Sequence, residues 1–102
     1  MAVRTKKDAA RVLSEVEGEK RFFCCEGSVI NSLSQLADCL GYINDECYGY
    51  HVSADKNDFG NWVDLVIGDN KLSGDVRNAA SRTEAAEIVR ARVTWLHNKV
   101  KK

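Results

Sequence analysis

Apolar residues recur at helical spacing through most of this chain, and no proline interrupts them. The clearest stripe is Phe59, Trp62, Val63, Val66 and Ile67, which fall at i, i+3, i+4, i+7 and i+8 and so make one face of a helix wholly apolar. A second stripe, Leu33, Leu36, Ala37 and Leu40, repeats the pattern. Proline in a helix interior removes a hydrogen bond and clashes with the preceding turn, so its absence leaves long helices unopposed. The pattern predicts a mainly α fold: a compact bundle of about five helices.

Capping signals divide the chain. Thr5 caps a first helix through Ala9, Val12, Leu13 and Val16, with Gly18 at its end. Ser32 with Gln35, and Ser81 with Glu84, have capping-box spacing, opening the second helix and a long last one through Ala85, Val89, Val93, Leu96 and Val100. Asp45 opens a helix through Cys47, Tyr48, His51 and Val52, Asn57 or Asp58 caps the most apolar helix, and Asp69 starts a short one with Leu72 and Val76. Between the first two helices, the β-favouring run Arg21–Cys25, Glu26-Gly27 and Ser28–Ile30 read as a short β-hairpin near the N-terminal third. The expected core comprises Leu13, Phe23, Leu33, Leu36, Leu40, Phe59, Trp62, Val66, Val89 and Leu96.

With 102 residues, the chain is expected to form one helical domain spanning 1–102, large enough to fold without a staple. No apolar run approaches the roughly 20 residues of a membrane span, and there is no leader-like or lipidation signal. The expected address is the cytoplasm, with no membrane partner. Fifteen basic residues balance fifteen acidic ones, but unevenly along the chain. Arg4, Lys6, Lys7 and Arg11 make one end basic, and Arg90, Arg92, Lys99, Lys101 and Lys102 the other. The acidic middle carries Asp38, Asp45, Glu46, Asp55, Asp58, Asp64, Asp69 and Asp75. This leaves nucleic-acid association through the basic termini as an alternative, against the repulsion of phosphate by the acidic centre.

A series of motifs runs in order along the chain: the aromatic strand and turn Phe22–Gly27, the Ser32-Leu33-x-x-Leu36-Ala37 helix, Tyr48-Gly49-Tyr50-His51-Val52, Lys56-Asn57-Asp58-Phe59 followed by Trp62-Val63, then Gly68-Asp69 and Leu72. Over the stretch from Phe23 to Leu72, this order of motifs resembles a small archaeal and bacterial domain family of unknown function. The resemblance implies a compact domain and no particular activity. The four cysteines stand outside its pattern.

Those cysteines are Cys24, Cys25, Cys39 and Cys47, expected as free thiols in a reducing compartment. Cys47 and His51, at i and i+4, share a helix face as zinc ligands do, and Cys39 with Cys24 or Cys25 completes a site only if the fold gathers them. The favoured reading is four small buried hydrophobes, with no metal bound. The same pair would need an orienting group to act as a nucleophile, with Asp55 the candidate, and nothing marks an oxyanion hole. Scattered glycines match no phosphate loop, so no enzyme activity and no cofactor is expected. The polar run Tyr50, His51, Asn57 and Asp58, beside Trp62, reads either as a lock on a loop or as a recognition pocket. In the lock, Asp58 caps the helix and Asn57 or Asp55 accepts from the imidazole. The sequence favours a non-enzymatic protein-interaction or binding module, self-associating or paired with another protein, with a Cys/His metal site as a further alternative.

Overall fold

A computed structural model describes residues 3–101, so Lys102 lies outside the described residues. It is mainly α: α1 (Lys6–Leu13), α2 (Leu33–Tyr42), α3 (Asp45–His51), α4 (Asp58–Trp62), α5 (Asn70–Arg77) and α6 (Arg82–Lys101). A two-stranded antiparallel hairpin, β1 (Phe22–Phe23) and β2 (Val29–Ile30), sits between α1 and α2. The long α6 is the spine, with α1, α2 and α5 all packed on it.

The caps carry out what their chemistry allows. Thr5 and Asp8 form a full capping box on α1. Ser32 Oγ accepts from the Gln35 amide, while the Gln35 side chain returns to the Asn31 amide. Ser81 and Glu84 repeat the arrangement at the start of α6, Glu84 reaching back to Ala80. Asp69 caps α5 through the Leu72 amide. Helix α1 stops at Leu13, short of the expected Gly18, because Ser14 turns extended. The apolar stripe expected as one helix begins as α4 and widens at Val63–Ile67 into a π-helical turn. Gly68, in the left-handed region at φ 86°, ends it with its amide on the Val63 carbonyl.

The core holds Leu33, Leu36, Leu40, Phe59, Trp62, Val89 and Leu96 as expected, and adds Val12, Ile30, Val63, Leu72 and Val76. Leu13 and Val66 are only partly buried. Phe23 corrects the expectation: it is 58% exposed, and Phe22 is the buried member of the pair. The hairpin register is the reason. Phe22 pairs with Ile30 and Phe23 with Val29, so the period-two alternation of a strand turns the first pair inward and the second outward.

Phe22 then stands at the centre of an aromatic cluster. Its ring lies 5.0 Å from Phe59, 5.1 Å from His51 and 6.1 Å from Trp62. Tyr48 also stacks on Phe59, at 5.8 Å. This cluster joins the hairpin to α3 and α4 and fixes the geometry of the site.

Candidate metal and thiol site

The hairpin turn and the α3 helix supply the site between them. Cys24 and Cys25 occupy the turn, where the Cys24 amide donates to the Ser28 carbonyl and the Gly27 amide to the Cys24 carbonyl. Gly27 closes it at φ 107°, a conformation that disfavours a side chain. The Cys25 amide takes no part in that turn and donates instead to His51 Nε2 at 3.1 Å. Asn44 caps α3 by accepting from the Cys47 amide at 2.8 Å. One turn on, Cys47 and His51 face the hairpin together.

The result is a convergence of four donors. One ligating atom each from Cys24, Cys25, Cys47 and His51 lies within 4.8 Å of all the others. Cys24, Cys47 and His51 are buried, whereas Cys25 is exposed. The Cys24 and Cys47 sulfurs are 3.6 Å apart, and Cys39 follows at 3.8 Å from Cys24. Cys39 is therefore not in the histidine-bearing group, but joins Cys24 and Glu26 in a neighbouring one. Burial, reinforced by the adjacent Cys24, pushes the Cys39 thiol up to about 12, so it stays protonated.

Cys25 and Cys47 are joined as a disulfide, with Cα atoms 6.2 Å apart. This corrects the expectation of four free thiols; Cys24 and Cys39 alone are free. The physical reason is placement: the turn and the first turn of α3 come within the Cα separation that a disulfide spans. A solvent-facing depression of about 440 Å³ lies over the pair, lined by Cys25, Glu26, Asn44, Glu46, Cys47 and Tyr50.

His51 is held from both sides. Its Nε2 accepts from the Cys25 amide, which leaves Nδ1 to carry the proton and donate to Asp58 Oδ2 at 3.0 Å. Lys56 Nζ donates to the same oxygen at 3.2 Å. Burial raises the Asp58 carboxyl, but the bonds from His51 and Lys56 outweigh it and hold the group below its usual value. The expected loop lock exists with its roles exchanged. Asn57 is the helix cap, accepting from the Gly60 amide at 2.9 Å, and Asp58 is the partner of the imidazole. The antiparallel bridge between Val52 and Asn57 explains this, because the next rung outward sets residue 51 opposite residue 58. Asp55 stays in the exposed loop, and α3 ends at His51, so no helix carries Cys47, His51 and Asp55 together.

The remaining sequence candidates separate. Trp62 is 6% exposed, and its indole donates to the Lys20 carbonyl at 2.7 Å, tying the segment before the hairpin to α4. Asn57 is buried in its capping role. Tyr50 is the exposed member of the aromatic–polar set, at 65%, while Asp58 is half-buried. Sequence reasoning paired Cys47 with His51 by helical spacing, but the adjacency of Cys24 and Cys25 depends on the hairpin docking against α3. The Cys-Cys-Glu-Gly turn was the only local signal.

The chain matches no protein-family model, no curated protein and no solved structure.

Proposed function

We propose that this protein is a small non-enzymatic binding module centred on a Cys₃His metal site formed by Cys24, Cys25, Cys47 and His51. The observation that carries the reading is the convergence of those four ligating atoms within 4.8 Å. A tetrahedral zinc ion with thiolate bonds of about 2.3 Å sets its sulfurs roughly 3.8 Å apart, near the 3.6 Å between Cys24 and Cys47, and the bonded sulfurs of Cys25 and Cys47 would have to separate to that spacing. Three thiolates and one imidazole favour zinc among the biological divalent metals. The Asp58 carboxylate on Nδ1 has the arrangement of an outer-shell group that orients a ligating histidine through its far nitrogen.

In this reading Cys25 and Cys47 form the site as a dithiol, the form a cytoplasmic address would maintain. The resemblance of the stretch from Phe23 to Leu72 to an archaeal and bacterial domain family supports a compact domain only. Because its pattern lacks the cysteines, the metal site belongs to this chain rather than to the family. Reduced protein should take up one zinc per chain, and cobalt in its place should give thiolate-to-metal charge-transfer absorption. Protein that stays metal-free by elemental analysis, with no such absorption, refutes the site.

One observation favours a protein partner at the same end. Phe23, Tyr42 and Tyr50, exposed by 58%, 60% and 65%, lie on β1, on the last turn of α2 and on α3, and Tyr50 lines the depression over Cys25 and Cys47. Aromatic side chains supply much of the contact energy in protein interfaces. Another protein or a second copy would dock there, and metal-loaded protein should show the complex by native mass spectrometry.

The nucleic-acid alternative draws less support. Three arginines of α6 are committed within the protein. Arg82 bonds Asp45 and the Leu40 carbonyl, Arg90 bonds the Ala37 carbonyl, and Arg92 makes a two-pronged bond to Asp69. Among the described residues no helix is long and apolar enough to cross a membrane.

A further inference from the structure

We propose that oxidation gates this metal site: closing the Cys25–Cys47 disulfide removes two of the four ligands and releases the metal. The inference rests on the metal reading above and adds its regulation. A sulfur bonded in a disulfide is no longer a thiolate donor. With Cys25 and Cys47 joined, only Cys24 and His51 remain, too few to retain a tetrahedral zinc. The bonded and metal-bound states are therefore alternatives built from the same atoms.

Three features equip the site for this exchange. Cys25 is exposed on the hairpin turn, beneath a depression open to a small oxidant, whereas Cys24 and Cys39 are buried. Cys47, the resolving partner, is already within disulfide reach across the turn. Third, the metal-free state leaves no buried nitrogen stranded. His51 Nε2, which would otherwise bind the metal, accepts the Cys25 amide proton, and Nδ1 keeps its bond to Asp58. A buried imidazole with both nitrogens satisfied allows the fold to persist after the metal leaves.

The chemistry balances with a peroxide as the oxidant. The Cys25 thiolate attacks one peroxide oxygen, the O–O bond breaks, and hydroxide leaves, giving a sulfenic acid at Cys25. The Cys47 thiolate then attacks the Cys25 sulfur, the S–O bond breaks, and a second hydroxide leaves. Two protons from solvent convert both hydroxides to water. The two sulfurs lose two electrons between them, the peroxide gains two, and the zinc ion passes to solvent. A dithiol reductant reverses the step by thiol–disulfide exchange, returning two electrons and two protons.

The test is to load reduced protein with zinc, add hydrogen peroxide beside a chromogenic zinc chelator, and map the linkage by mass spectrometry. No lysine or arginine lies between Arg21 and Lys56, so cleavage after Glu26 and Glu46 is needed to separate Cys39 and Cys47 from the Cys24-Cys25 peptide. The expected result is release of one zinc per chain with loss of two hydrogens, a Cys25–Cys47 linkage, and recovery of binding after a dithiol reductant. Cys25→Ser should abolish the linkage. Oxidised protein that keeps its zinc, or a linkage joining Cys24 to Cys39, overturns the gating while the metal reading stands. Reduced protein that never binds zinc overturns both.

Discussion

Replacing Asp58 by asparagine separates a ligating His51 from a histidine that merely fills the core. Asp58 accepts two hydrogen bonds at one oxygen, from His51 Nδ1 at 3.0 Å and from Lys56 at 3.2 Å. The amide oxygen of asparagine can still accept from Nδ1, so Asp58→Asn exchanges a charge-assisted bond for a neutral one, a cost of about 1 kcal/mol. The Lys56 pair is too exposed to add much. For a domain of this size that lowers Tm by roughly 4–8 °C. If His51 binds the metal through Nε2, loss of the outer carboxylate should also weaken zinc affinity by about 10–100-fold. That corresponds to about 1.4–2.7 kcal/mol. Thermal unfolding of the metal-free protein and competition against a chelator of known affinity read the two effects separately. A lowered Tm with unchanged zinc affinity would refute His51 as a ligand and reduce the His51–Asp58 pair to a loop clasp.

Phe22→Ser should destabilise by about 3–5 kcal/mol, the range for emptying a buried aromatic site, whereas Phe23→Ser should stay within about 0.5 kcal/mol. Urea unfolding compares the two, and equal losses would contradict the hairpin register. Arg92→Met should cost about 3–5 kcal/mol by stranding a buried carboxylate, because Asp69 is fully buried against that guanidinium; an unchanged unfolding midpoint would contradict the buried pair. The depressed folded-state value of Asp58 gives a sign for acid behaviour. Its contribution is fully present above the unfolded carboxyl range near pH 4 and is lost as pH falls through the lower folded value. The stability-versus-pH curve of Asp58→Asn should therefore be flatter below about pH 4, and a profile parallel to the parent would count against the pairing.

Helices and caps were legible because both are local. Spacing at 3.6 residues marks an apolar face, and a capping side chain reaches only three residues along. Ser32, Asp69 and Ser81 accordingly serve where the sequence places them. The Asn57-Asp58 pair shows the edge of that reach. Either residue can cap, and a cross-turn bridge decided which one did. Phe22 and Phe23 are the same kind of choice, since adjacent strand residues point to opposite faces and only the docked hairpin chooses the inward one.

By itself the sequence determined a mainly helical chain with a hairpin after the first helix, the pairing of Cys47 with His51 on one helix face, and the identity of most core residues. Tertiary structure alone decided that Cys24 and Cys25 meet that pair, that Cys39 falls outside it, and that Asp58 rather than Asn57 or Asp55 holds the imidazole. The physical reason is range. Helical periodicity and capping act over a few residues, but bringing Cys25 to His51 spans 26 positions. That approach follows from packing the Phe22 side of the hairpin into the aromatic cluster of α3 and α4, a contact with no local trace in the sequence.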